Sequence, residues 1–162
     1  MLSPSRYYRS VTDIDLDWLT RSGVDTLLID LDNTLLARDS DCVRDDVREW
    51  AAGIRDRGFR VCLVSNNWHE RVFAVARELG FELVPKAAKP FPFAFLVALH
   101  KMGSKRRQAA VIGDQMFTDV LGGKLLGMTT VLVEPLSESD LPHTLVLRRL
   151  ERLLLAGRQP LH

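Results

Sequence analysis

Short apolar runs, each closed by a polar or acidic residue and separated by helix-length segments, constrain this chain more than any other feature. The first run is Val24–Ile29, which ends in Asp30. Phe59–Val64 ends in Ser65-Asn66-Asn67, and Ala109–Ile112 ends in Gly113-Asp114. Phe81–Val84, closed by Pro85, and Thr129–Val133 complete a set of five expected strands. Near-continuous apolar strands suit a sheet covered on both faces. Between them lie amphipathic stretches: Val43 to Ile54 with a stop at Gly58, His69 to Leu79 capped by Gly80, and a helix entered at Pro90 and Pro92 and running through Met102. A further helix is expected over 118–126, where Gly122-Gly123 marks close packing, and another over 144–156. Asp13 or Asp15 caps a short helix through Leu16, Trp18 and Leu19. Single strands alternating with helices give an α/β fold, three-layered and Rossmann-like, with a parallel sheet of about five strands. Right-handed crossovers then gather every strand's carboxyl end, and the polar residues there, on one edge.

Composition narrows the class. The 162 residues are one domain's worth, and 46% hydrophobic with 27% charged residues describe a globular chain, not a disordered one. Twenty-two Lys and Arg against 21 Asp and Glu argue against nucleic acid as a partner held by bulk charge. Cys42 and Cys62 are too few for a disulfide scaffold. No apolar run approaches a transmembrane span, and the first residues lack the apolar segment of a secretory signal. The expected compartment is therefore the cytoplasm.

The edge carries an acidic constellation. Asp30 and Asp32 are two apart at a strand end, Asp114 ends a separate strand, and Asp119 follows it. Carboxylates this close repel unless a cation or shared proton relieves them. An oxygen-only set suits a hard cation, Mg²⁺ above all, with phosphate and water completing its shell. Capping of helices or turns is the competing role for the acids. Ser65 and Asn66 offer a hydroxyl, an amide and backbone N–H groups to a phosphate oxygen. Lys89 brings a positive charge that would neutralise a transferring phosphoryl group and hold a nucleophilic carboxylate.

Asp30-Leu31-Asp32-Asn33-Thr34-Leu35, Ser65 at a strand end, Lys89-Pro90 and Gly113-Asp114 with Asp119 occur in the order and spacing of four motifs. Together, over about residues 24–135, they resemble the haloacid dehalogenase (HAD) superfamily of Mg²⁺-dependent phosphotransferases. The wording Ser65-Asn66-Asn67, Lys89-Pro90-Phe91 and Gly113-Asp114-Gln115 is similar to the YqeG-like branch, subfamily IIIA, related to phosphatidylglycerophosphate phosphatases. The resemblance implies Asp30 as nucleophile and Asp32 as general acid and base. It implies that Ser65 binds the phosphoryl group and that Lys89 stabilises both it and Asp30. Asp30, Asp114 and the Asp32 backbone carbonyl would ligate Mg²⁺, while Thr34, Asn66 and Asp119 support substrate or metal from behind. Relatives carry a Lys and an Asn in the C-terminal helix where this chain has Leu145 and Leu147, although Arg148 and Glu151 match.

HAD enzymes enclose small substrates with inserted caps. Here only a short polar segment, 35–42, follows the first motif, and only a crossover helix with a strand lies between Asn67 and Lys89, so no cap domain fits. An open site accepts a bulky phosphomonoester, including a lipid headgroup such as phosphatidylglycerophosphate at the inner face of a membrane. A soluble sugar phosphate or nucleotide, and a low-turnover scaffold, are the competing functions. The arginine-bearing stretch 145–155 suits docking on the sheet, a homo-oligomer contact or a membrane surface. Trp68, just after the phosphate-binding loop, is read first as a core or interface residue, with substrate contact as the alternative, and His69 at the helix start as a cap or surface residue.

Overall fold

A computed structural model describes residues 2–137, 149–151 and 153–161. It contains six strands: β1 (Arg6–Tyr8), β2 (Thr26–Ile29), β3 (Arg60–Val64), β4 (Glu82–Val84), β5 (Ala109–Gly113) and β6 (Thr129–Val133). All pair in parallel, in the order β1-β6-β5-β2-β3-β4. The five expected strands are present, and β1 is the addition. Arg6 and Tyr7 stay partly solvated because β1 is an edge, so it lacks the apolar run that marks a buried strand. Leu161 closes on the same edge, its N–H donating to the Tyr7 carbonyl at 2.7 Å.

Period-two alternation in the central strands feeds two helical layers. Leu27, Ile29, Val61, Leu63, Ala110 and Ile112 pack with α1 (Leu16–Arg21), α2 (Asp45–Asp56) and α3 (Glu70–Leu79) on one face. Leu28, Cys62, Val64 and Val111 pack against α4 (Phe93–Met102) on the other. Asp15 is the cap of α1, its carboxylate accepting from Trp18 N–H at 2.9 Å. Gly80 ends α3 in the left-handed conformation, which glycine adopts without a Cβ penalty.

The segment expected as one helix over 118–126 is built differently. Met116–Val120 forms a π-turn, and only α5 (Leu121–Leu125) is α-helical. Asp119 and Val120 N–H both converge on the Gln115 carbonyl, at 3.0 and 3.3 Å, which widens the turn. A Cβ on Gly123 would lie 2.6 Å from the Thr130 side chain and one on Gly122 would meet Phe95, so the glycine pair does mark close packing. Of the expected C-terminal helix, residues 149–151 and 153–154 are helical, and 144–148 and 152 lie outside the described residues. Among the described residues no cap interrupts the core: residues 30–44 join β2 to α2, and α3 alone joins β3 to β4. No helix of the described residues is long and apolar enough to cross a membrane.

Candidate active site

The three central strands, β5, β2 and β3, deliver their carboxyl ends side by side, and the loop after β4 folds over them. Asp30 follows β2 and stays in the ladder, its N–H donating to the Ile112 carbonyl at 2.8 Å. The loop after it is a tight turn: Asn33 takes a left-handed φ of 62°, and its N–H meets the Leu36 carbonyl at 2.7 Å. Asn33 is buried, and its Oδ1 accepts from Arg38 N–H at 3.0 Å and from the Ser137 hydroxyl at 2.6 Å. Asparagine is among the few residues that both tolerate that φ and bond locally. The segment 35–42, expected to be polar, buries Leu35 and Leu36 as the anchor of this turn.

Lys89 is the hub. Its buried ammonium donates to Asp30 Oδ1 at 2.6 Å and to Asp119 Oδ1 at 2.7 Å. Its backbone N–H donates to Asn66 Oδ1 at 2.8 Å, which ties the loop after β4 to the loop after β3. The Thr34 hydroxyl lies 3.2 Å from Asp30 Oδ2 and 3.4 Å from Asp114 Oδ1, bridging two strands. Asp119 Oδ2 accepts from Gln115 N–H at 3.2 Å, so the π-turn returns this side chain to the loop that carries Asp114. Carboxylate oxygens of Asp30, Asp114 and Asp119, all buried, lie within 4.8 Å of one another.

Electrostatics follow from this crowding. Burial pushes the Asp30 carboxyl above its ordinary value; Lys89 opposes that, and the Asp119 charge adds to it. Burial works against the Lys89 ammonium, but Asp119 and Asp30 outweigh it and raise its pKa. With every acid ionised, the three carboxylates would exceed the one ammonium by two formal negative charges in a buried cluster. A divalent cation balances that excess, and an all-oxygen donor set is the kind that Mg²⁺ takes.

Of the residues singled out from sequence, Asp30, Lys89, Asp114, Asp119 and Thr34 converge. Asp32 sits beside them but its carboxylate turns outward, Oδ2 accepting from Asn67 Nδ2 at 2.6 Å. Ser65 is buried at the end of β3, with its Oγ accepting from Asn67 N–H at 3.1 Å. The metal set expected from sequence took Asp32 by its carbonyl and left Asp119 behind the metal; in the structure Asp119 itself belongs to the carboxylate cluster.

Three supporting residues have no role in the motif reading, although Asn67 and Glu151 fall within its wording. Asn67 orients Asp32, whereas its neighbour Asn66 serves Lys89. Arg71 on α3 donates to the Ala37 and Arg38 carbonyls at 2.7 and 3.2 Å, holding the turn after the first motif. Glu151, buried, accepts from Met116 N–H at 2.7 Å and joins the C-terminal helical residues to the Asp114 loop.

The family model of haloacid dehalogenase-like hydrolases matches residues 6–127. The chain belongs to that family. It is a phosphatase of the superfamily, and 36% identical to the probable phosphatase YqeG of Bacillus subtilis over 95% of this chain and 90% of that protein. It is also 31% identical to phosphatidylglycerophosphate phosphatase 1 of Arabidopsis thaliana, over 91% of this chain but 45% of that longer protein. The cobalt-bound deoxy-D-mannose-octulosonate 8-phosphate phosphatase of Haemophilus influenzae superposes with a TM-score of 0.55 at 12% identity, covering 83% of this chain and 88% of that one. That likeness bears on the HAD fold alone.

Proposed function

We propose that this HAD phosphatase hydrolyses phosphomonoesters through a phospho-Asp30 intermediate with Mg²⁺, and that its substrate phosphate is carried on a lipid headgroup. The observation that carries the covalent reading is the Lys89 ammonium held between Asp30 and Asp119, with Asp114 in the same cluster. Asp30, Asp114 and the Asp32 carbonyl would hold the cation, with Asp119 beside them. Bound there, Mg²⁺ would supply charge neutralisation between two anions that must meet.

The chain's own residues do the rest. Lys89 and Thr34 fix the two Asp30 oxygens, so the carboxylate presents one face to phosphorus. Attack forms the Asp30–phosphorus bond and breaks the bond to the ester oxygen, which takes a proton from Asp32. The Ser65 hydroxyl accepts from Asn67 N–H and keeps its own proton for a phosphoryl oxygen. Asp32 then takes a proton from water, whose oxygen displaces Asp30 and releases inorganic phosphate. A scaffold would need none of this buried charge, which is costly to desolvate even where Lys89 pairs it.

The lipid reading is supported by the absence of a cap and by similarity to the plant phosphatidylglycerophosphate phosphatase. It places the protein in the cytoplasm, peripheral to the inner face of the membrane. The test is a phosphatase panel with Mg²⁺ that sets soluble sugar and nucleotide phosphates beside detergent-dispersed phosphatidylglycerophosphate. Wild type is expected to release phosphate fastest from the lipid, with Asp30→Asn inactive on every member. Hydroxylamine is expected to trap Asp30 in the wild type. Preference for a soluble phosphate removes the lipid reading, and turnover without labelling of Asp30 removes the covalent one.

A further inference from the structure

α4 is apolar on nearly every side, yet only one side is covered. Ala94, Phe95, Ala98 and Leu99 face the sheet, while Phe93, Leu96 and Val97 form a second stripe at i, i+3 and i+4 that stays open. Phe93 is 74% exposed, and Phe91, two residues after Lys89, is 70% exposed. A helix that is hydrophobic all round ordinarily has a partner on each face.

The stripe continues onto the lip of the site. Ala87 N–H donates to the Ser65 carbonyl at 2.9 Å and Lys86 N–H to the Asn67 carbonyl at 3.3 Å, so the loops after β3 and β4 run together. On that lip Trp68 is 54% exposed, with the Lys86 ammonium 5.1 Å from its ring centroid. Lys86 itself is exposed and sits at a left-handed φ of 52°, which sets the turn that carries it outward. Residues 65–69 contain no carboxylate, and residues 85–113 contain six Lys and Arg with no Asp or Glu. Lys89 is taken up inside the site and Lys101 pairs with Glu82 at 3.0 Å, while Lys105, Arg106 and Arg107 precede β5; among the described residues of the loops after β3 and β4, Lys86 is the exposed cation.

We infer that Trp68, Lys86, Phe91, Phe93, Leu96 and Val97 form a docking surface for a bilayer that carries anionic headgroups, which brings the open site to the membrane plane. The inference rests on the lipid reading of the same site. Aromatic rings beside a lysine suit the boundary between headgroups and acyl chains, and the Lys86 ammonium gives an anionic headgroup a cation to meet on the lip. A second copy of the chain fits less well. The three exposed aromatics offer roughly 300–500 Å², short of the ~800 Å² per partner of a standard interface.

Sedimentation with vesicles of phosphatidylcholine alone, and of phosphatidylcholine mixed equally with phosphatidylglycerol, tests this without requiring turnover. Wild type is expected to pellet with the mixed vesicles and to stay in solution with the neutral ones. The double variant Phe91→Ser/Phe93→Ser is expected to lose roughly tenfold or more of its partition, and Lys86→Glu to weaken it further. Both should keep wild-type turnover of p-nitrophenyl phosphate, which shows that they fold. Equal partition of wild type and the double variant overturns the surface, as does wild type that ignores mixed vesicles. A dimer that Phe93→Ser dissociates, with no vesicle binding, gives the face to a second copy and overturns it too. Partition that survives while the lipid phosphate is not hydrolysed removes the substrate reading and leaves the surface. Hydrolysis in detergent without partition does the reverse.

Discussion

Gly113→Ala is the most informative single perturbation, because it adds one methyl at a site with no room for it. Gly113 ends β5 with an ordinary backbone conformation, so alanine meets no backbone penalty there. Its new Cβ would lie 2.6 Å from the Asp119 Cβ and closer still to the Asp119 carboxylate, against an ordinary contact of 3.4–4 Å. Asp119 therefore moves by about 1 Å, by the tight-packing limit on buried neighbours. That is enough to stretch its 2.7 Å bond to the Lys89 ammonium past hydrogen-bond range. Breaking one arm of a buried charge cluster costs about 3–5 kcal/mol, and misplacing a catalytic group by about 1 Å costs about 10²-fold in rate. At 2–4 °C per kcal/mol for a domain of this size, the melting temperature should fall by about 10 °C. Thermal melts and initial rates on p-nitrophenyl phosphate at saturating Mg²⁺ measure both. Repeating the substitution in an Asp119→Ala background should cost less, because the contacts with the carboxylate are gone and only the one with the Cβ at 119 remains. Gly53→Ala in the middle of α2, where nothing lies within 4 Å, is the control; it should stabilise by about 0.5–1 kcal/mol. A Gly113→Ala enzyme with wild-type rate and melting temperature, or full additivity with Asp119→Ala, refutes the packing logic.

Asp32→Asn should slow turnover by about 10²–10⁴-fold, with phospho-Asp30 accumulating on an activated ester; unchanged rates would remove Asp32 as acid and base. Asn67→Ala should cost about ten- to a hundredfold, the worth of one hydrogen bond to a carboxylate, and more for poor leaving groups than for p-nitrophenolate, a split that a purely structural role does not produce. Because Asp30 titrates above its ordinary 3.8, its protonated form favours the fold, and that contribution is lost as pH rises through its folded value. A cation competes with that proton, so the difference in melting temperature between Mg²⁺ and EDTA should widen from acid to neutral pH; a flat difference refutes the assignment. Burial pushes the Cys62 thiol up to about 12, while Cys42 is exposed, so a thiol reagent should label Cys42 in the native protein and Cys62 only after urea is added.

How far the sequence discloses the molecule depends on whether a feature is carried by local pattern. β2, β3, β5 and β6 are continuous apolar runs, and burial on two faces leaves such runs no other use, so they and the acids at their ends are readable. β1 is three residues on an edge, where one face stays wet and pattern carries little information. The π-turn at Met116–Val120 is unreadable for a different reason: a helical spacing of apolar residues tolerates one extra residue, and the widening serves the return of Asp119 to Lys89. The choice between Asn66 and Asn67 turns on which way two adjacent side chains leave a strand end, which register alone does not decide. Arg71 and Glu151 reach the site from distant sequence through backbone groups; Glu151 stands out by its match to relatives, but a backbone partner cannot be read from residue identity.

Glu151 also makes the far end of the chain a party to events at the acids. Its carboxylate holds the N–H of Met116, two residues beyond Asp114, so the C-terminal helical residues and the loop that carries Asp114 share one bond. Free-energy coupling of this kind runs equally in both directions. Whatever factor an occupied acid cluster applies to the docking of residues 149–151, the same factor applies to cation affinity when those residues are held or pulled away. With the proposed Mg²⁺ at the acids, a fusion, a tether or a binding partner attached at that end is expected to act as a remote control on it, read as a shift in Mg²⁺ affinity with every acid of the cluster intact.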